Sequence, residues 1–433
     1  METLPRKKLE KRQLADLKEI VKFAYENAPY YKRSFDEAGV KPEDIKELSD
    51  IQKFPFINKK TQRDTQGVGS FLGELCAVPE EDVVFISTSS GSTGVPTMSP
   101  FTKKDFDEFQ DTESRWFWQI GMRPNDRYVH ALNFSLYVGG PDVIGAQNLG
   151  ALCIWGGTLP SERLLFILKT YQPTIIWTSP SYAWQLGEKA LKAGIDPKKD
   201  LNIKKIIVAG ELGGSIDATR KAIEDLWGAE VYDFYGLSDI FGACAAMCEA
   251  KDGLHIAENH ILVETVDIHT GEVLKPGEVG ELVFTTLRKQ ARPLIRFRTG
   301  DIGWIDNTPC KCGRTHGRIH INGRKDDMFI VSAVNVFPSD IEAVIREQKD
   351  ITGEYLIRVF EKDFTCKYSV EIEKKIDNPD TDEEVAAKVS AALKARIGVK
   401  PYTVVVHPDG GLDTRSEHKS RRIIDERKLD YSI

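Results

Sequence analysis

Apolar runs and amphipathic stretches divide the chain into strands and helices. Near the N-terminus, apolar residues recur at helical spacing and form one stripe, which predicts a helix. The run over residues 83–86 predicts a short buried strand. From about residue 125, strand and helix patterns alternate, and because strands joined by helices pair in parallel, this region predicts an α/β layer. The N-terminal stripe consists of Leu14, Leu17, Ile20, Val21, Ala24 and Tyr25, and the alternating segments are 151–155, 161–170, 174–178, 181–193, 205–209, 216–227 and 230–234.

The pattern changes in the last third of the chain. Between about 255 and 325 the runs are short and β-like, as at 281–284, and glycine-rich turns separate them, which predicts a β-rich subdomain. After Asp326 the order is strand, helix, two strands, helix and strand, and Thr381 with Glu384 forms a capping box before the second helix. This βαββαβ order predicts a small α+β domain. We therefore expect a large domain over 1–325 and a small one over 326–433.

Composition narrows the class of protein. The 433 residues include 59 Lys and Arg against 66 Asp and Glu, a formal charge of −7, so the balance gives no electrostatic reason to expect a nucleic-acid partner. No apolar run approaches the roughly 18 residues of a membrane span, and the N-terminus lacks the apolar stretch of a signal peptide. We expect a cytoplasmic globular protein. Its seven cysteines, an odd number, favour buried thiols or metal ligands over a disulfide framework.

The most distinctive local segment lies over residues 87–97. Seven of its eleven residues carry hydroxyls, two are glycines, and the segment follows a predicted strand. Small donors and accessible backbone N–H groups suit binding of a polyphosphate, although the same composition is also typical of a flexible surface linker. The spacing GxxxxGK[ST] is absent, so this is not a Walker loop.

Four further segments carry candidate chemistry. Residues 232–239 and 209–211 end neighbouring predicted strands, where an α/β sheet binds ligands, and could form a slot for a planar base; ordinary packing of the aromatic residues is the alternative. In 296–301 a carboxylate, Asp301, follows a glycine turn and could bind a ribose diol. Residues 323–327 and 415–422 are charge runs, for which solvated surface is the simpler interpretation.

Taken together, the order and spacing of these segments resembles the adenylate-forming superfamily of acyl-CoA synthetases, and within it the phenylacetate–CoA ligase family. The resemblance extends over nearly the whole chain. It rests on Pro29-Tyr30-Tyr31, SSGSTGVPT, FYGLSD, GLHI, GELVFTTL, RFRTGD, CKCGRTHGRI, GRKDDMFIVSAVNVFPSDIE and RSEHKSRRIID.

The resemblance implies an enzyme that activates a carboxylic acid with ATP to an acyl-adenylate, releases pyrophosphate, and transfers the acyl group to coenzyme A. It also implies Mg²⁺ near the α-phosphate, AMP as product, and a homodimer as one compatible assembly. By the same resemblance, Asp239 would help to hold Mg²⁺, Lys419 would be the catalytic lysine, and Asp326 would be the hinge of the small domain. The β- and γ-phosphates would lie against Ser89, Ser90, Gly91, Ser92, Thr93 and Gly94. The nucleoside would contact Ala209, Gly210, Glu211, Asp233, Phe234, Tyr235, Asp301 and Arg324, and the acid pocket would include Phe134, Tyr137 and Gly139.

Four positions depart from the family pattern. Asp239 stands where the family more often has Glu, and Val95 stands where many superfamily loops have Lys, which removes one phosphate-neutralising charge. His418 replaces a Gly that often precedes the lysine. Residues 133–140 differ from the Gly- and Tyr-rich run of phenylacetate enzymes, so the identity of the acid is left open.

A metal site is a further expectation. Cys310 and Cys312 form a C-x-C turn, and Cys248 lies seven residues before His255, so the four together could form a Cys₃His zinc site. Four unrelated residues are the alternative. The resemblance favours zinc, because some members with a similar cysteine turn hold it there, and His316 or His260 could replace His255 as the fourth ligand.

Two other functions are compatible with the sequence. One is a synthetase of the same superfamily that transfers AMP to the hydroxyl of a deazaflavin cofactor. The other is a non-catalytic nucleotide-binding protein, which a retained Lys419, Asp301 and phosphate loop argue against.

Overall fold

The structure is a computed structural model that describes residues 2–89, 96–132, 139–157, 159–331, 334–362, 365–412 and 422–427. It divides into two compact units. The first comprises Met1–Gly210 with Trp227–Ile321, and the second comprises Glu211–Leu226 with Asn322–Ile433. None of the described helices is both long enough and apolar enough to cross a membrane.

The elements of the chain up to residue 324 include short 3₁₀ turns at Pro42–Asp44, Leu48–Lys53 and Glu80–Asp82. The helices are α1 (Arg6–Asn27), α2 (Pro29–Ala38), α3 (Lys59–Thr65), α4 (Lys103–Gln119), α5 (Val143–Leu149), α6 (Ser161–Tyr171), α7 (Pro180–Lys192), α8 (Pro197–Asp200) and α9 (Asp217–Trp227). The strands are β1 (Val83–Thr88), β2 (Met98–Thr102), β3 (Arg127–His130), β4 (Leu152–Trp155), β5 (Ile175–Thr178), β6 (Lys205–Val208), β7 (Glu230–Leu237), β8 (Phe241–Met247), β9 (Leu254–Ile256), β10 (Ile261–Val266), β11 (Gly280–Thr286), β12 (Phe297–Asp306) and β13 (Arg318–Arg324).

Within the described residues, one central sheet contains eleven strands in the order β10-β11-β12-β13-β9-β8-β7-β6-β5-β3-β4. The strands from β4 to β7 pair in parallel, whereas β7, β8 and β9 pair antiparallel, as do β10, β11 and β12. The predicted α/β layer is confirmed. The region predicted to be β-rich does consist of strands, and these continue the same sheet.

Burial explains which elements the sequence predicts well. In α1 the stripe residues Leu17, Ile20, Val21 and Ala24 are all buried, as the spacing predicts. The prediction of a buried strand at 83–86 is wrong in one respect. Strand β1 forms, but it pairs with β2 in a two-stranded sheet, and Val84 is 57% exposed.

The second unit has its own apolar core. Its sheet has the order β18-β17-β16-β19, beside a hairpin of β14 and β15. The Thr381 hydroxyl accepts from the Glu384 N–H and the Glu384 carboxylate accepts from the Thr381 N–H, so the predicted capping box is confirmed. The elements are β14 (Phe329–Val331), β15 (Val334–Val336), α10 (Pro338–Glu347), β16 (Ile351–Lys362), β17 (Thr365–Lys374), α11 (Asp382–Ile397), β18 (Val404–His407) and β19 (Ile423–Asp425).

Three features of this unit differ from the sequence prediction. The predicted order contains neither β15 nor β19, because each is only three residues long. The unit also includes residues 211–226, which no pattern in the sequence assigns to it. One contact that joins this segment to α10 is a hydrogen bond of 3.0 Å from the Thr219 hydroxyl to Glu342.

Candidate active site

Two parallel strands end side by side at the predicted nucleoside site. Strand β6 pairs with β7 so that Val208 lies opposite Asp233, which brings Ala209 and Gly210 beside the residues that follow Asp233. Gly210 has φ = +89°, a left-handed conformation that favours glycine, so the turn after β6 depends on that residue. The carboxyl ends of neighbouring parallel strands form a crevice of the kind that binds ligands in α/β sheets.

The side chains of β7 alternate between the core and the site. Phe234 is buried at 1% exposure, and its ring lies 5.2 Å from that of Trp177 and 6.3 Å from that of Phe117. Tyr235, the next residue, points to the opposite face of the sheet. Its hydroxyl donates a hydrogen bond of 2.5 Å to Oδ2 of Asp301. The structure therefore joins two of the predicted nucleoside contacts, Tyr235 and Asp301, and uses the Phe234 ring for packing.

Local hydrogen bonds hold Asp301 in place. It lies in β12 directly after Gly300, whose φ is +78°. The Gly300 N–H donates to Oε1 of Glu281 at 3.2 Å, and the Asp301 N–H donates to the Thr299 hydroxyl at 2.9 Å. Arg298 forms an ion pair with Glu281. This pair fixes the Glu281 carboxylate, which orients the turn at Gly300.

Asp239 lies in the turn between β7 and β8 and is only 1% exposed. Lys59 Nζ lies 3.1 Å from its Oδ2, and Arg292 Nη2 lies 3.8 Å from its Oδ1. The Thr97 hydroxyl donates to the same Oδ1 at 3.3 Å. Two cations and a hydroxyl thus surround a carboxylate that would be very unfavourable to bury without them.

A third basic side chain, the buried Lys289, stabilises the backbone of this turn. Lys289 Nζ donates to the carbonyls of Asp239 and Ile240, at 3.2 and 2.7 Å, and to the Ser99 hydroxyl at 2.6 Å. Burial lowers the pKa of Lys289 well below its ordinary value, and burial also lowers the pKa of Arg292, against the opposing effect of Asp239. The site residues predicted from the sequence do not include Lys59, Lys289 or Arg292. The only local signal was the LRKQARP run between two quoted segments.

The base of the predicted phosphate loop adjoins Asp239. The Ser89 N–H donates to the Thr97 carbonyl at 3.1 Å, and the hydroxyls of the two residues lie 2.8 Å apart. The Thr97 hydroxyl also donates to Asp239. The first and last described residues of the loop therefore meet beside this carboxylate. The remaining loop residues assigned by resemblance lie outside the described residues: Ser90, Gly91, Ser92, Thr93 and Gly94.

The other predicted residues are distributed as follows. Phe134, Tyr137 and Lys419 lie outside the described residues, as do Val95 and His418. Gly139 is described, beside Leu132 and Asp142.

Three predicted residues belong to the second unit: Glu211, Arg324 and Asp326. Arg324 Nη2 lies 3.2 Å from Oδ2 of Asp326. The N–H groups of Asp327 and Met328 donate to the Arg324 carbonyl, which closes a turn between β13 and β14 at the predicted hinge.

The four predicted metal ligands meet in the first unit. The donor atoms of Cys248, His255, Cys310 and Cys312 all lie within 4.8 Å of one another. The Cys248 and Cys310 sulfurs are 3.7 Å apart, and Cys312 Sγ is 3.3 Å from His255 Nε2. Tetrahedral zinc, with Zn–S near 2.3 Å and Zn–N near 2.0–2.1 Å, requires separations of about 3.8 Å for two sulfurs and about 3.6 Å for sulfur and nitrogen. The geometry therefore fits zinc.

Hydrogen bonding and burial prepare this cluster for a metal. His255 Nδ1 lies 3.0 Å from the His316 carbonyl and donates to it, which leaves Nε2 directed at the three sulfurs. Burial lowers the pKa of His255 to about 4, so its imidazole is neutral near pH 7. Burial raises the pKa of Cys312, but hydrogen bonds from Arg314 and the neighbouring thiols outweigh it and lower the pKa overall. Among the described residues, His255 is the imidazole in the cluster, whereas the alternatives His316 and His260 are not.

Removing the charge of Asp239 tests how far the buried cations depend on it. We expect Asp239→Asn to lower the free energy of unfolding by about 3 kcal/mol, because it leaves Arg292 buried without a counter-charge. Urea unfolding measures the change. Asp64→Asn is the matched control, since it removes an exposed carboxylate that pairs with Lys60 on one helix, and about 0.5 kcal/mol or less is expected there. Equal effects of the two substitutions would contradict the role assigned to Asp239.

Comparison with known proteins identifies the family of the chain. The family model "AMP-binding enzyme" matches residues 13–287, and the model "AMP-binding enzyme C-terminal domain" matches residues 333–427. Phenylacetate-coenzyme A ligase from Thermus thermophilus is 36% identical to this chain. The alignment is 451 positions long and covers 99% of each chain. The enzyme of the same name from Escherichia coli is 35% identical and covers 99% of this chain and 97% of its own.

A solved structure shares the fold. 2-Hydroxyisobutyryl-CoA ligase, in complex with 2-HIB-AMP in the postadenylation state, superposes with a TM-score of 0.92 at 28% identity, covering 98% of this chain and 91% of its own. The predicted α/β class with a small C-terminal α+β region is confirmed. The chain therefore belongs to the AMP-binding enzyme family, and within it to the phenylacetate–coenzyme A ligases.

Proposed function

We propose that this protein is an ATP-dependent acid–coenzyme A ligase that acts on an aromatic carboxylic acid of the phenylacetate class. It forms an acyl-adenylate, releases pyrophosphate, and then forms the CoA thioester with release of AMP. The observation that carries the proposal is the hydrogen bond between Tyr235 of β7 and Asp301 of β12, with the buried Asp239 in the turn after β7, in a chain that matches such ligases along its full length.

Tyr235 and Asp301 suit the nucleoside of ATP, whereas Asp239 and the loop that follows Ser89 suit its phosphates. Asp301 accepts from Tyr235 through Oδ2, and its carboxylate retains acceptor capacity for the two hydroxyls of a ribose. The Tyr235 ring lies on the same face, where it can pack against adenine. Phe234 contributes through its backbone, since its ring is in the core. The loop that starts at Ser89 extends from Asp239, so the phosphates would lie towards that carboxylate.

The residues around Asp239 fit a magnesium ion. Mg²⁺ prefers oxygen ligands, and here the carboxylate of Asp239 lies beside the Thr97 hydroxyl. The Lys59 side chain, which pairs with Oδ2, is 32% exposed and can turn towards solvent to free that oxygen. When bound, the ion would neutralise charge on the phosphates. Arg292 supplies fixed positive charge at the same place, which would offset the lysine that Val95 replaces.

Thioester formation, the second half-reaction, requires a different arrangement of residues at the same site. By resemblance, Lys419 stabilises the negative charge that develops during adenylation, and the small domain rotates about Asp326 to withdraw it before CoA binds. The hinge would lie in the turn between β13 and β14, where Asp326 is exposed.

The decisive assay measures AMP release from ATP with a panel of aromatic acids, with and without CoA. We expect AMP release that needs both an acid and CoA, and hydroxamate formation from the trapped adenylate when CoA is absent. AMP transfer to a deazaflavin hydroxyl, without any acid, would instead support the adenylylating synthetase, and nucleotide binding without turnover would support a non-catalytic protein. The relatives that match along the full chain are acid–CoA ligases, which favours the first outcome.

Substitution of the catalytic lysine separates the two half-reactions. We expect Lys419→Ala to slow adenylation by about 10²–10³-fold, since one preorganised charge is typically worth that much, and to spare thioester formation from supplied acyl-adenylate. Lys400→Ala, which removes an exposed lysine from the same domain, is the control and should affect neither step. Equal loss in both half-reactions would rule out the rotation about Asp326.

We further propose that Cys248, His255, Cys310 and Cys312 hold one structural zinc ion. Three thiolates and one neutral imidazole leave no open position for a substrate, so the ion would crosslink β8, β9 and the 310–312 turn. The role of the zinc ion at this site would be to stabilise the fold.

Zinc content tests the site without reference to activity. Protein purified without added metal should contain about one zinc per chain, and Cys312→Ser should lower both the zinc content and the melting temperature. Cys153→Ser is the matched control because Cys153, another described cysteine, is not part of the cluster, and it should retain the metal. Less than about 0.2 zinc per chain in the unaltered protein would contradict the proposal.

A further inference from the structure

Two buried carboxyl groups, those of Glu113 and Asp142, meet over the start of β8. Glu113 projects from α4 and is 0% exposed, and Asp142 directly precedes α5 and is 1% exposed. Both lie over Gly242, the second residue of β8. A Cβ atom at Gly242 would come closer than 3 Å to Oε1 of Glu113 and to Oδ1 of Asp142, so only glycine leaves room for the pair.

Helix packing forces the two carboxyl groups together. Helix α5 approaches α4 at Gly145, where a Cβ would lie only 2.5 Å from the Glu113 Cβ. The same face of α4 is fixed to β8, because Oε1 of Glu113 accepts from the Ala243 N–H at 2.6 Å and the Trp116 indole donates to the Ala243 carbonyl at 2.7 Å. The pair is therefore rigidly placed.

Protein groups satisfy only part of this pair. Among the described residues, Glu113 Oε2 and Asp142 Oδ1 are buried with no hydrogen-bond partner, and no Lys or Arg forms an ion pair with either carboxyl. Burial raises the pKa of both carboxyl groups well above the ordinary range, and the like charge of Asp142 raises the pKa of Glu113 further. A buried polar atom without a partner costs free energy, and a donor on a bound ligand would supply the missing hydrogen bonds.

The position of the pair connects it to the acid substrate. Asp142 follows Gly139, the described member of the predicted acid pocket, by three residues, and a Cβ at Gly139 would lie 3.8 Å from Asp142 Oδ2. Gly242, under both carboxyls, follows Asp239 by three residues. The pair therefore lies beside Gly139 of the predicted acid pocket, and over a glycine that is close in the chain to Asp239.

We propose that Glu113 and Asp142 bind a hydrogen-bond-donating group, a hydroxyl or an amine, on the acyl part of the acid substrate. This inference rests on the proposed function and specifies the substrate class. An unsubstituted phenyl ring at this place would leave both oxygens unpaired. An O–H or N–H group donates to them, and such a site can reject an analogue that lacks the donor by up to about 10⁴–10⁵-fold.

Two other roles for the pair fit less well. A metal ion would need more ligands, and among the described residues the cysteine–histidine cluster is the only group of three or more metal-binding side chains. A neighbouring histidine does not supply positive charge either. His130 Nδ1 lies 2.5 Å from the Tyr128 hydroxyl, and burial lowers the pKa of this imidazole to about 3, so it is neutral near pH 7.

The test compares phenylacetate with its ring-hydroxy and ring-amino derivatives at each ring position. Binding of each acid is measured by calorimetry with a non-hydrolysable ATP analogue, and kcat/KM is measured by AMP release with CoA. We expect at least one derivative to bind about tenfold or more tightly than phenylacetate. Comparison of the hydroxy derivatives with the amino derivatives shows whether the pair binds an O–H or an N–H donor.

An apolar variant of similar volume, Glu113→Met with Asp142→Leu, shows whether the pair is responsible. The ratio of affinities, derivative over phenylacetate, should fall about tenfold or more in the variant, whereas a purely structural role would change both affinities alike. Glu264→Gln, which alters another buried glutamate that pairs with Arg296, should leave the ratio unchanged.

The outcomes separate this inference from the proposed function. A ratio that stays the same in the double variant, or a panel in which no derivative exceeds phenylacetate, overturns the inference even if AMP release is normal. Absence of AMP release with every acid overturns the proposed function, and the calorimetric ratio still decides the role of the pair.

Discussion

The structure of the site depends on the burial of one carboxylate. Asp239 is excluded from water at the turn between β7 and β8, and a carboxylate in that position is stable only with compensating positive charge. Lys59 and Arg292 supply it from segments far apart in the chain, and Lys289 stabilises the backbone carbonyls of the same turn. The requirement to pair this charge therefore brings α3, the segment after β11 and the base of the phosphate loop to one place.

The central sheet provides the geometry around this carboxylate. Its parallel half ends β6 and β7 side by side, and its antiparallel half brings β12 close enough for Asp301 to accept from Tyr235. Alternation along β7 then separates packing from binding, since Phe234 lies in the aromatic core while Tyr235 faces the site. A rigid sheet whose strand ends hold the polar groups can position them without mobile side chains.

The Glu113–Asp142 pair presents the opposite case. Like Asp239, these carboxyls are buried, but no cation accompanies them in the described part of the chain. Such a pair is costly to bury, which agrees with the proposed recognition of a ligand that supplies donors. The two kinds of buried carboxyl, paired with cations and without them, thus correspond to the proposed activation site and the proposed specificity site.

The sequence by itself determined the class of fold, the family and the types of residue in the site. Local patterns were sufficient for this, because hydrophobic periodicity predicts α1 and the parallel strands, and ordered short segments such as FYGLSD and RFRTGD identify the family. The spacing of Cys310, Cys312, Cys248 and His255 also predicted a cluster that the structure brings together.

Only the tertiary structure decided which side chains surround each functional group. The partners of Asp239 are Lys59 and Arg292, which are 180 and 53 residues away in the chain, and no local pattern connects residues so distant. The meeting of Glu113 with Asp142 depends on the close approach of α4 and α5 at Gly145 and on the absence of a side chain at Gly242. Charges and packing act through space, so their balance becomes visible only when the chain is folded.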